Sequence, residues 1–124
     1  MPQAEAFQAI NVESEEVLKI LLEIQDRPGI TQRELASMLG VSLGKTNYLL
    51  KALIHKGLLK AGKFTKSGNK TNYIYLLTPR GLEEKARITY RFLKRKKREY
   101  ERLEEEIRRL SREVNKTGKT RTGP

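Results

Sequence analysis

The stretch Thr31–Leu59, T-Q-R-E-L-A-S-M-L-G-V-S-L-G-K-T-N-Y-L-L-K-A-L-I-H-K-G-L-L, constrains the fold more than any other part of the chain. It carries start and stop signals for two short helices in close succession. Thr31 followed three residues later by Glu34 is a capping box, in which a hydroxyl and a carboxylate satisfy the orphan N–H groups of a helix start. Gly40 falls where a tight turn needs a positive φ. Ser42 caps a second helix whose Thr46, Leu49, Leu50 and Leu53 line one side. Gly57 stops it. Two helices joined by a glycine turn form a helix-turn-helix, which places its second helix in the DNA major groove.

Charge supports the same reading. No Asp or Glu lies between Glu34 and Glu83, whereas that interval holds Lys45, Lys51, Lys56, Lys60, Lys63, Lys66, Lys70 and Arg80. Such a segment suits a polyanion. The whole chain of 124 residues has a formal net charge of +11. Residues 1–78 hold ten Lys/Arg against seven Asp/Glu, and residues 79–124 hold sixteen against eight. All seven acids of the first part lie at or before Glu34, which gives the domain an acidic side and a basic side.

Ser14 to Asp26 repeats apolar residues at helical spacing, Val17, Leu18, Leu21 and Leu22, flanked by Ile20 and Ile24, and Arg27-Pro28-Gly29 ends it. Beyond Gly57 the period changes. Leu58–Phe64 and Asn72–Leu77 read as strands, joined by the polar link T-K-S-G-N-K-T with Gly68 and Asn69 as turn formers. Thr78-Pro79 then opens a helix, with Thr as cap and Pro in the first turn. Nothing stops that helix before about Val114, a length on the order of 54 Å. Ala86, Thr89, Leu93, Lys96, Tyr100, Leu103, Ile107, Leu110 and Val114 step by three and four, a heptad seam strongest from Tyr100 onward.

The expected fold is therefore mainly α with a small β-hairpin (α+β), a winged helix-turn-helix followed by a long C-terminal helix. The expected organisation is a flexible N-terminus over 1–12, a winged DNA-binding domain over 13–78, a dimerisation helix over 79–114 and a disordered basic tail over 115–124.

These residues resemble the MarR-type winged-helix transcription regulators. L-G-V-S-x-x-K-T-N-Y-L-L-K-A-L-x-x-K-G-L, then a wing, then L-T-P-x-G, is similar to the DNA-binding core of that family. T-Q-R-E-L-A, S-L-G-K-T-N-Y-L-L-K-A-L and Y-I-Y-L-L-T-P-R-G, followed by a K-R-K-K-R-E-Y-E run, resemble more closely still a small subgroup associated with exopolysaccharide (EPS) biosynthesis loci. The resemblance covers about Ser14 to Ile107 and implies a dimeric regulator, with EPS genes as targets. The wing lacks the Asp-x-Arg-Asp-x-Arg pattern common in the wider family, so a wing-tip arginine does not carry over; Lys66 and Lys70 are the nearest cations.

The DNA-facing residues expected on the first helix of the pair are Thr31 and Gln32. On the second they are Ser42, Leu43, Gly44, Lys45, Asn47, Tyr48 and Lys51, and on the wing Lys63, Lys66, Asn69 and Lys70. Asn pairs bidentately with adenine, Lys bonds guanine or phosphate, and Leu43 can meet a thymine methyl. The expected dimer seam is Leu93, Tyr100, Leu103, Ile107, Leu110 and Val114. Lys94-Arg95-Lys96-Lys97-Arg98 reads as a solvated helix face or as an extra phosphate contact.

Other chemistries find no support. Gly44-Lys45-Thr46 mimics the end of a P-loop, but that motif's first glycine would fall on Leu39. His55 is the single histidine and there is no cysteine, so neither a zinc site nor a disulfide framework is expected. No nucleophile–base pair or cofactor loop is found; the chain reads as a non-enzyme without cofactor. It has no eighteen-residue apolar run, signal-peptide pattern or lipidation motif, so a cytoplasmic protein without a membrane partner is expected. The expected partners are double-stranded DNA and a second copy of the chain, with any small-molecule effector unknown. The rival reading is an RNA-associated or adaptor winged helix that binds a partner through its long helix.

Overall fold

Ser14 starts the first helix: its Oγ accepts the Val17 N–H at 3.2 Å, and α1 runs over Glu15–Asp26. The computed structural model describes residues 10–65 and 71–117. Helices α2 (Gln32–Leu39) and α3 (Leu43–His55) follow, then strands β1 (Leu59–Thr65) and β2 (Thr71–Leu77), then helix α4 (Pro79–Thr117). The strands pair antiparallel, from Leu59 opposite Leu77 to Thr65 opposite Thr71. This is a winged helix-turn-helix with a long C-terminal helix. The chain divides into two compact units, Met1–Thr89 and Tyr90–Pro124.

The core of the first unit draws on several elements. Ile20, Leu21 and Ile24 of α1, Leu35 of α2, Leu50 and Leu53 of α3, Leu59 of β1 and Ile88 of α4 are buried. Two features depart from the sequence pattern. On α1 the apolar face is centred on Val17, Ile20, Leu21 and Ile24, while Leu22 stands 37% exposed. The buried set steps by three and four, and Leu22 lies off that stripe. On α4, Ile88 is fully buried although it falls outside the heptad seam, whose Ala86 and Thr89 are exposed at this point. The start of α4 therefore follows the packing of the winged domain rather than the heptad.

The three joints are chemically distinct. Gly40, in the left-handed region at φ 71, closes α2 and gives its N–H to the carbonyls of Ala36 and Ser37. Gly57, at φ 79, closes α3, and the Leu58 N–H reaches back to the Leu53 carbonyl at 3.0 Å. That six-to-one bond is the mark of a Schellman stop. At the third joint, the Thr78 hydroxyl donates to the Gly57 carbonyl at 2.5 Å and accepts the Gly81 N–H at 2.9 Å. One side chain thus caps α4 and holds it to the end of α3. Tyr75 supplies a further tie, its N–H reaching the Pro28 carbonyl at 3.3 Å.

Helix α4 continues to Thr117, three residues beyond the expected end at Val114, so Asn115–Thr117 are helical rather than tail. Residues 1–9 and 118–124 of the expected mobile ends lie outside the described residues, as does the wing tip over 66–70. No helix among the described residues is long and apolar enough to cross a membrane.

Gly81 has a steric role that the sequence pattern does not disclose. A Cβ there would lie 2.1 Å from the Leu58 carbonyl oxygen. Backbone meets backbone at this point, so a methyl forces the first turn of α4 away from Leu58. Gly81→Ala is expected to cost about 1–3 kcal/mol, the range for overpacking a tight site. Urea unfolding followed by circular dichroism measures it as a lower midpoint.

Candidate nucleic-acid interface

Helix α3 is fixed by its first turn. The Ser42 Oγ accepts the Lys45 N–H at 3.0 Å, while the Ser42 carbonyl accepts both the Thr46 N–H and the Thr46 hydroxyl at 3.0 Å. Thr46 is fully buried, and its hydroxyl is satisfied by the backbone at the start of its own helix. With Leu49, Leu50, Ala52 and Leu53 it forms the inward side. The helix is thereby held in a single rotation, and its other residues turn outward.

On that outward side Leu43, Gly44 and Lys51 are exposed, and Asn47 and Tyr48 are half-buried. Gly44 leaves the backbone bare: a Cβ built there would meet only the Ser42 Oγ, at 4.0 Å. Lys45 is placed differently from its neighbours. It is exposed, but its Nζ lies 3.5 Å from Glu16 Oε1 on α1. Both side chains are more than a third exposed, so the pair is worth little to stability. Its effect is on charge: a carboxylate from the acidic side sits against a lysine of the basic side. Sequence reasoning misses Glu16, since nothing in the spacing of residues 16 and 45 pairs them.

Helix α2 begins with the expected capping box. The Thr31 Oγ1 accepts the Glu34 N–H at 3.1 Å, and the Glu34 carboxylate accepts the Thr31 N–H at 2.9 Å. Gln32, expected to face DNA, has its Nε2 turned to the Tyr75 hydroxyl at 3.0 Å. That bond ties α2 to β2 and leaves the amide oxygen and the second N–H as its remaining groups. Arg33, beside it, is exposed, a further cation that no motif in the sequence marks. Lys63 is exposed on β1, while Lys66, Asn69 and Lys70 lie outside the described residues.

In the second unit the seam residues Leu93, Tyr100, Leu103, Ile107, Leu110 and Val114 are all half or more exposed, from 50% to 65%. Lys96 interrupts the seam between Leu93 and Tyr100, with its Nζ 3.5 Å from Glu99. An apolar ridge of this length on one helix is unusual on a solitary surface.

A capped helix pair, a hairpin, and an outward helix face in an acid-free segment define the class of winged helix-turn-helix domains. The family described as winged helix-turn-helix DNA-binding matches residues 17–60. No curated protein matches the chain. Among solved structures, the PcaV transcriptional regulator of Streptomyces coelicolor is similar at 19% identity and a TM-score of 0.57, covering 83% of this chain and 80% of its own. A variant of Staphylococcus aureus MepR bound to an oligodeoxyribonucleotide is similar at 22% identity and a TM-score of 0.54, over 93% of this chain and 81% of that one. A transcriptional regulator homologue from Pyrococcus horikoshii is similar at 18% identity and a TM-score of 0.52, over 73% and 89%. At these identities the likeness is one of fold.

The capping box also carries a pH signature. The Thr31 backbone N–H, and then its hydroxyl and the charge of Arg27, hold the Glu34 carboxyl below its ordinary value of 4.5 against an opposing effect of desolvation. A lowered folded-state pKa means stability that is present above 4.5 and lost as pH falls through the folded value. Glu34→Gln keeps an accepting oxygen but not the charge. The stability gap between wild type and this variant should be widest above pH 4.5 and close on acidification. Urea midpoints measured across that range test it; a gap independent of pH contradicts it.

Proposed function

We propose that this chain is a sequence-specific, duplex-DNA-binding transcription regulator of the MarR type. It works as a homodimer on a two-fold symmetric site and is not an enzyme. The observation that carries the reading is helix α3. Its inward side is fixed by Thr46 and three leucines, and its outward side offers Leu43, Gly44, Asn47, Tyr48 and Lys51. That side lies in a run of 48 residues, from 35 to 82, without a single acid. Asparagine and lysine side chains read adenine and guanine edges, and a bare glycine lets the backbone come near phosphate. The match to a winged helix-turn-helix DNA-binding family and the fold shared with a DNA-bound MepR variant support this reading. The sequence resemblance extends it to exopolysaccharide genes as targets and to a cytoplasmic site of action.

In this mechanism α3 enters the major groove from its N-terminal end. Lys51, Lys63 and the wing cations Lys66 and Lys70 neutralise phosphates, while Asn47 and Tyr48 touch bases. Lys45 exchanges its Glu16 partner for a phosphate oxygen. Two copies pair through the seam from Leu93 to Val114, so that each winged domain takes one half-site. Half-sites separated by one helical turn, about 34–36 Å, suit such a dimer.

Selection from a random duplex pool tests the reading as a whole: an inverted repeat is expected, whereas enrichment of structured RNA instead of duplex would favour the RNA-associated rival. On the selected site, Asn47→Ala should cost about 1–3 kcal/mol and relax preference at one position per half-site. Equal weakening on specific and random duplexes would remove Asn47 from base reading.

The dimer is tested separately. Leu103→Asp with Leu110→Asp places two carboxylates in the seam. Sedimentation at tens of micromolar should find a dimer for wild type and a monomer for the double variant, which should also lose most of its affinity for the full site. A wild-type monomer contradicts the proposal.

A further inference from the structure

The basic run on α4 has a geometry that neither the groove-entering helix nor the seam uses. From Lys85 to Arg98 the chain holds eight Lys/Arg and no acid. With Leu93, Tyr100 and Ile107 at heptad position a, Lys94 falls at b, Arg95 and Arg102 at c, and Arg91 and Arg98 at f. The b, c and f positions form the side of a helix opposite its a/d seam, outside the flanking e and g positions too. These five cations, with Glu101 at b as the one acid among them, therefore make one stripe on the side of α4 turned away from the apolar ridge.

All five are exposed. Lys94, Arg95, Arg98 and Arg102 form no ion pair among the described residues, in contrast to Lys96, Arg108 and Lys116, which pair with Glu99, Glu105 and Glu113. Two of the cations rest on aromatic rings of the same helix. The Lys94 Nζ lies 5.4 Å from the centre of the Tyr90 ring, and the Arg95 guanidinium 4.9 Å from that of Phe92. Such contacts restrict a long side chain without neutralising it.

We propose that this stripe is a second, sequence-independent contact surface for the phosphate backbone of duplex DNA. The choice of ligand rests on the DNA-binding reading above and on charge spacing. Arg91 to Arg102 covers about 16 Å of helix, one cation per about 4 Å, at about 1.5 Å per residue. One strand of a duplex carries a charge per about 3.4 Å of its axis. An anionic membrane is the poorer fit. A helix lying on lipid buries its apolar side, and cations at the middle of the opposite side then point away from the headgroups.

The test uses the full chain and a random-sequence duplex, with affinity followed by fluorescence anisotropy from low to moderate salt. The variant is Arg95→Gln, Arg98→Gln and Arg102→Gln together. Glutamine keeps helix propensity, and c and f positions leave the seam intact, so circular dichroism and sedimentation should match wild type. The slope of log affinity against log salt should fall by roughly 0.9 for each phosphate no longer neutralised, a drop of roughly 2–3. The corresponding Arg→Lys triple variant should keep the slope.

A slope unchanged in the glutamine variant overturns the proposal. So does a variant that no longer binds vesicles of anionic phospholipid, or single-stranded RNA, while its duplex slope stays at the wild-type value. Lys51→Ala with Asn47→Ala separates this surface from α3. If those two changes leave duplex binding untouched while the glutamine variant lowers the slope, the stripe stands and the groove reading fails. If they weaken binding while the glutamine variant does not, the groove reading stands and the stripe fails.

Discussion

A single hydroxyl, that of Thr78, joins the pieces of the winged domain. It donates to the last turn after α3 and accepts from the first turn of α4, and the Thr78 N–H reaches the Leu58 carbonyl at 3.1 Å. Both lone-pair and proton capacity are thus spent on backbone groups that would otherwise be orphaned at helix ends. Gly81 is the steric counterpart of this bond, because only a hydrogen fits against the Leu58 carbonyl. Ile88, two turns further on, is buried in the same core. The rotation of α3 is fixed by its buried leucines, and the C-terminal end of α3 is fixed by this joint.

Much of this is legible in the sequence, and the legible part has a common cause. Thr31, Gly40, Ser42 and Gly57 act on backbone within a few residues of themselves, as does Thr78 in capping α4, so this chemistry is written locally; the Thr78 bond to the Gly57 carbonyl, twenty-one positions back, is not. The inward set of α3 is equally readable, since burial follows a helical period. The departures concern residues whose role depends on a distant partner. Leu22 belongs to an apolar cluster by composition, yet Ile20 is the residue the core buries and Leu22 the one it leaves exposed. Ile88 leaves the heptad for the domain core. Gln32 reads as a surface contact, and the sequence gives no sign of its bond to Tyr75, forty-three positions away.

The candidate interface divides in the same way. Its outward residues on α3 follow from the period, but the ion pair between Glu16 and Lys45 joins residues whose elements meet only in the fold. The acidic and basic sides are therefore not two separate surfaces, because an acid from α1 reaches the edge of the basic one. A polyanion meeting Lys45 has to displace a carboxylate first, which weakens non-selective attraction at that edge while leaving Lys51, on the outer face, available.

Gly44 sets a kinetic character for the same helix. Glycine is less favourable than alanine in a helix, by about 1 kcal/mol at interior positions, and nothing near Gly44 compensates, since its surroundings are open. The first turn of α3 is therefore held by the Ser42 cap against a local tendency to unwind. Backbone amides there should exchange with solvent sooner than those of the leucine-anchored turns that follow. On the outward side, Leu43 and Gly44 thus depend on a single serine cap, whereas Tyr48 and Lys51 stand on turns anchored by buried leucines.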